Sequence, residues 1–196
     1  MTNIDIYIMK LFSAQKGFTL IELLVVIGIL GILAAALVAT IDPFEQLKKA
    51  DDAKIKNISV EFQTALVRYY TTHGSFPWND ANSANNAPCT NLGANPIAGV
   101  TLGSAGMIDC IDGSDGSLLS DGEVKSAFTS NVNDLDKIYI TWSDADATNA
   151  LVCFSPTSKS QKASPETKYT DVAGTEDANT CPDANAADGT CYWCTQ

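Results

Sequence analysis

Polar and apolar positions divide the chain sharply. From Phe18 to Ile41 the only charged residue is Glu22. At about 1.5 Å per residue, a helix of that length crosses a hydrocarbon core of about 30 Å. Beyond it, Asp42, Pro43 and Glu45 read as an N-cap, a first-position proline and a capping partner, so the helix kinks or restarts there. From Pro43 to about Thr72 apolar residues recur at three- and four-residue steps: Phe44, Leu47, Ile55, Ile58, Phe62, Leu66 and Tyr69, with one break at Asp51. This predicts an amphipathic helix whose later half lies on a globular domain. Lys48, Lys49, Asp51, Asp52, Lys54 and Lys56 read as its solvated face, with a contact between copies as the alternative. Gly74 supplies a left-handed cap and Pro77 forbids continuation.

The remainder is broken by turn residues. Asn79 to Gly106, rich in Asn, Ala, Gly and Pro, reads as a long loop pinned by Cys89. Asp109 to Gly122 is a second Gly/Ser/Asp stretch, followed by a short helix over Gly122 to Thr129. Lys137 to Trp142 and Ala150 to Ser155 are the strand candidates, joined as a hairpin through Asp144 to Asn149. Ser158 to Thr180 reads as a polar loop, and Cys191 to Thr195 as a last strand that closes the sheet. The fold class is therefore α+β: a long N-terminal helix, first membrane-spanning and then amphipathic, packed on a small antiparallel sheet.

Composition sharpens this picture. The chain has 196 residues and a net charge of −11. Outside the apolar helix there is enough for one ordinary soluble domain. An acidic surface repels nucleic acid and anionic headgroups, so the bulk surface excludes nucleic acid as a partner. Cys89, Cys110, Cys153, Cys181, Cys191 and Cys194 all follow the apolar helix. An even count on the side that should be exported fits disulfides made in an oxidising compartment. Three bridges allow fifteen pairings, and sequence does not choose among them. The working assignment is Cys89–Cys110, Cys153–Cys194 and Cys181–Cys191.

Gly17, Phe18, Thr19, Leu20, Ile21 and Glu22, followed by unbroken aliphatics, resemble the cleavage and methylation signature of type IV pilins and the pseudopilins of type II secretion. The resemblance implies that a prepilin peptidase cuts between Gly17 and Phe18. It also implies that Phe18 is N-methylated, and that Glu22 is the fifth residue of the product. Residues 1–17 would be the leader. It differs from an ordinary signal peptide because the apolar stretch follows the cut. Lys10 and Lys16 before the span favour N-in, C-out insertion. The pattern Tyr69-Tyr70 to Gly74-Ser75-Phe76-Pro77 is similar to the end of the long helix in major pseudopilins and many bacterial pilins. Segments 18–41, 42–78 and 79–196 then become the filament-core helix, the amphipathic helix with its turn, and the disulfide-stapled head.

Several residue groups invite a chemical reading. A carboxylate inside a membrane costs about 2.5–3.5 kcal/mol. Glu22 and the new Phe18 amine of a neighbouring copy would each offset part of the other's desolvation, which makes Glu22 a device for subunit register. Gly28, Gly31, Ala35 and Ala39 form a stripe of small residues that lets helices approach closely. Cys191-x-x-Cys194 lacks the strand-to-helix setting of a redox pair and reads as structural. Asp109, Asp112 and Asp115, and again Asp183, Asn185 and Asp188, miss the alternate-position spacing of a calcium loop and read as solvated turns. No metal and no cofactor are expected. His73, the only histidine, sits where a helix ends, and there is no GxSxG, phosphate loop or HExxH, so no enzyme is expected.

The resemblance implies a structural subunit of a filament, membrane-anchored before assembly and extracellular afterwards. Its implied partners are copies of itself, the prepilin peptidase, an inner-membrane platform protein and an assembly ATPase. Two rival readings are a pseudopilin of a secretion or DNA-uptake system and a non-polymerising, membrane-tethered binding module. A monomeric tether needs no peptidase site.

Overall fold

The computed structural model describes residues 17–40, 42–79, 89, 92, 97–113, 115–143 and 146–195. The expected leader as far as Lys16, most of the expected loop from Asn79 and the first residues of the hairpin turn lie outside them. The chain divides into two units, residues 1–43 and 44–196.

In the first unit, helix α1 runs over Leu20–Thr40. Its large apolar side chains are exposed, from Leu20 at 80% to Val38 at 70%. Among the described residues of this unit nothing covers them.

Helix α2, Pro43–His73, starts on the proline, whose missing N–H costs nothing in a first turn. Its buried stripe is Asp52, Ile55, Ser59, Phe62, Ala65, Leu66 and Tyr69. Gly74 ends the helix at φ +73°, and its N–H donates to the Tyr70 carbonyl at 2.8 Å. Along α2 the expected solvated face holds for Lys48, Lys49 and Lys54, which are exposed, and is corrected at Asp52. Asp52 is buried, Lys54 pairs with Asp134, Lys56 with Glu166 at 2.5 Å, and Asp51 with Lys137 at 2.8 Å. Asp52 bears the largest load. One oxygen accepts from Thr157 N and Oγ1 at 2.9 and 3.0 Å, the other from Ser158 N and Oγ at 2.8 and 2.6 Å. Four donors satisfy a carboxylate that burial would otherwise make costly.

Four antiparallel strands form one sheet in the order β1-β2-β3-β4: β1 Ile97–Thr101, β2 Ile138–Ser143, β3 Asp146–Phe154 and β4 Trp193–Cys194. Strand alternation sorts β2 and β3 between two faces. Ile138, Ile140 and Trp142 stand opposite Phe154, Val152 and Ala150, and join the α2 stripe in the main core. Tyr139 and Leu151 point the other way. There Cys153, Cys194, Tyr169, Leu151, Val172 and Tyr192 make a second, smaller cluster. The turn around Val172 closes on this face: Thr141 Oγ1 donates to the Val172 carbonyl at 2.7 Å. Gly99 and Gly174 permit that approach, because a Cβ on either would come within 2.8 Å of Val172 or Leu151.

Several expected boundaries are corrected. β1 lies inside the stretch read as a loop, with a register shift between Ile97 and Val100 around the positive-φ Gly99. Helix α3, Ala105–Asp112, occupies the start of the Gly/Ser/Asp stretch and buries Met107, Cys110 and Ile111. The helix expected over Gly122 to Thr129 is absent among the described residues. A 3₁₀ turn, Phe128–Ser130, and helix α4, Val132–Leu135, follow instead. Arg68 holds the preceding turn by donating to Glu123 Oε2 and to its carbonyl, both at 2.6 Å. β3 begins before Ala150, at Asp146. A short helix α5, Lys159–Lys162, interrupts the expected polar loop.

Candidate functional site at the start of the apolar helix

Gly17, Phe18 and Thr19 precede α1 in non-helical conformation. Thr19 is the last residue before the helix and Glu22 the third within it. Thr19 N and Thr19 Oγ1 each donate to Glu22 Oε2 at 2.8 Å, and Glu22 N donates to Thr19 Oγ1 at 3.3 Å. This is a reciprocal capping box, which satisfies two donors that the helix start would leave bare. The motif is legible as Thr-x-x-Glu ahead of an apolar run, a signal that the register argument alone overlooks.

The arrangement has a definite chemical capacity. The Glu22 carboxylate is held close to its own helix start by one oxygen, while Oε1 has no partner among the described residues. Phe18, four positions ahead, is 82% exposed. Its nitrogen is an uncharged amide while the Gly17–Phe18 peptide bond exists, and becomes a cation only after hydrolysis of that bond. A Cβ added at Gly28 or Gly31 would meet nothing within 4 Å. Among the described residues the room these glycines make is not used.

The other candidate residues belong to the second unit. The six cysteines form three disulfides, Cys89–Cys110, Cys153–Cys194 and Cys181–Cys191. The first reaches α3, the second crosses from β3 to β4, and the third closes the late loop. His73 stacks on Tyr69 with ring centroids 4.1 Å apart, and its Nε2 lies 3.5 Å from Asp121. Asp112 accepts from Thr129 Oγ1, Asp183 from Asn185 N, and Asp188 from the buried Lys162 ammonium at 2.5 Å. Among the described residues no three His, Cys, Asp or Glu side chains group as metal ligands. Three carboxyls of the head are held below their ordinary range by hydrogen bonds, Asp177 chiefly by the backbone N–H of Asn179. For Glu166 the main donor is Lys56, then the Trp193 indole. For Asp171 it is the backbone N–H of Thr175.

Comparison with known proteins places the signal at the same end. The Prokaryotic N-terminal methylation motif matches residues 12–38. The chain is 30% identical over 110 residues to the Type IV major pilin protein PilE1 of Neisseria gonorrhoeae, across 52% of this chain and 60% of that protein. It is 35% identical over 71 residues to a Fimbrial protein of Neisseria meningitidis serogroup B, across 36% of this chain and 41% of that one. It is also 31% identical over 96 residues to the Fimbrial protein EcpC of Eikenella corrodens, across 49% and 61%. The chain thus spans between 41% and 61% of the length of these relatives. No solved structure matches it. With an apolar N-terminal helix, a second long helix, a small antiparallel sheet and disulfides, the fold is consistent with that of type IV pilins, and the chain carries the prepilin-type methylation motif and resembles their fimbrial subunits.

Proposed function

We propose that this chain is the structural subunit of a type IV pilus-like filament. It waits in the membrane on α1, oriented N-in and C-out. A prepilin peptidase cleaves the Gly17–Phe18 bond, and Phe18 is then N-methylated. The subunit next enters a helical polymer in which α1 helices pack on one another in place of lipid. An inner-membrane platform protein and an assembly ATPase drive that step.

The observation that carries this reading is the single carboxylate of α1, four residues after Phe18 in a helix otherwise free of charge. An isolated membrane carboxylate is costly, and the capping box relieves only one of its oxygens. The cation released at Phe18 by cleavage, supplied by the adjacent subunit, completes its satisfaction and fixes the axial offset between copies. The test is the mass of the N-terminal peptide of the cell-associated protein. A peptide beginning at N-methylated Phe18 is expected. An intact Gly17–Phe18 bond in the working protein overturns the proposal and leaves the membrane-tethered module standing. Electron microscopy then separates long surface fibres from the short periplasmic rods of a pseudopilin.

A further inference from the structure

Helix α2 begins before the head that covers it. Its apolar stripe is buried from Ile55, which is 2% exposed, yet Phe44 is 73% and Leu47 67% exposed on the same side of the helix. The charges around these two residues sort unevenly. Glu45 Oε1 accepts from Lys159 N at 2.6 Å, and Asp51 pairs with Lys137 at 2.8 Å. Asp52 is buried against Thr157 and Ser158, and Asp42 is engaged as well. Lys48 and Lys49 are exposed and form no ion pair among the described residues. The acids of these first turns are committed to internal partners. The two ammonium groups are not, and Leu47 beside them is exposed.

Position in the chain selects the partner. The apolar span ends at Val38, and Phe44 follows within six residues. Even fully extended, such a segment reaches only about 20 Å. These turns therefore stay near the surface of the leaflet from which the span emerges, whatever the orientation of the head. The membrane is present at every moment before assembly, whereas a second copy must first arrive.

We propose that in the membrane-anchored precursor the first two turns of α2 dock on that leaflet. Phe44 and Leu47 enter the boundary between headgroups and acyl chains, and Lys48 and Lys49 extend along it to lipid phosphates. The docked turns hold the head against the bilayer, and extraction into a polymer has to peel them away. This inference rests on the membrane span of the proposed function and is independent of filament formation.

The test places a benzophenone amino acid at position 47 of the full-length chain, reconstituted in vesicles of phosphatidylethanolamine and phosphatidylglycerol. The site is exposed, so the substitution leaves the core untouched. Illumination should yield an adduct heavier by one phospholipid, several-fold more abundant than from the same probe at Val67, farther along α2 and 49% exposed. Lys48→Glu with Lys49→Glu, or vesicles of phosphatidylcholine alone, should cut that adduct several-fold. An adduct at 47 only with a second copy would reassign the stripe to contact between subunits. No excess over position 67 would leave it in solvent. Either result overturns the docking. Release of the chain by carbonate overturns the span as well, while firm retention without a lipid adduct overturns the docking alone.

Discussion

The two units of this chain obey opposite rules. In the head, most large apolar side chains among the described residues are covered: Phe62, Leu66, Tyr69, Ile138, Ile140 and Val152 are fully buried. In α1 the reverse holds, and side chains as large as Leu30 and Ile32 stay 58% and 73% exposed. The head accounts for its own sequence. The helix accounts for its sequence only against a medium that the single chain does not contain. A mutation should therefore register in one unit and be silent in the other.

The widest separation is expected at Glu22. Glu22→Ala should reduce filament yield on the order of a hundredfold, since it leaves the Phe18 ammonium of the adjacent copy as the lone membrane charge, at about 2.5–3.5 kcal/mol, and each 1.4 kcal/mol is tenfold. Processing, membrane retention and head stability should be unchanged. Yield is read by shearing and immunoblotting, and head stability by urea unfolding in detergent. Near-normal yield would break the comparison at its strongest point.

Phe62→Ala is the mirror image. It removes a fully buried ring from the α2 stripe and should destabilise the head by about 3–5 kcal/mol. Extraction of the chain from membranes should not change.

Asp52→Ala comes next. It strands the N–H and hydroxyl groups of Thr157 and Ser158, at about 1–3 kcal/mol for a buried group left unsatisfied. Asp52→Asn should recover part of the loss, and equality of the two variants would mean that the carboxylate contacts contribute nothing specific.

Thr19→Val sharpens the comparison on the other side. It removes the capping hydroxyl at a cost of about 1 kcal/mol to the first turn of α1, with no effect on the head. Amide exchange at Leu23 and its neighbours in detergent measures it.

The smallest effect is a pH dependence at Glu166. The Lys56 hydrogen bond lowers its pKa on folding, so its contribution is present above the unfolded pKa and lost as pH falls through the folded value. The side chain is 61% exposed, which keeps the contribution small and screened by salt. Unfolding curves taken below about pH 4 should show wild type losing slightly more stability than Glu166→Gln.

How much of this was legible depends on how local each signal is. The absence of charge after Glu22 and the three-four spacing from Ile55 to Tyr69 are properties of single segments, and both appear in the structure as helices. The alternation in Ile138 to Trp142 gave β2 almost to the residue. β1 was hidden because Gly99 and Pro96 break the pattern of a short strand whose partner, β2, lies forty residues away in sequence. α3 did carry a helical signal, with Met107, Cys110 and Ile111 at three- and four-residue steps, masked by the glycines and aspartates around it. The Asp52 cluster could not be read at all, since its donors come from about a hundred positions downstream. At the candidate site the Thr19–Glu22 pairing was readable, because both ends of a capping box fall within four residues.

The turn at Val172 has a further consequence. Together with α2 it leaves neither side of the sheet open: Leu151, Cys153 and Tyr192 lie under it, while Val152 and Phe154 face the main core. A sheet roofed on both sides offers no greasy plane on which two heads could stack at random, and the acidic exterior keeps them apart. Among the described residues, the long unbroken run of exposed apolar side chains is that of α1.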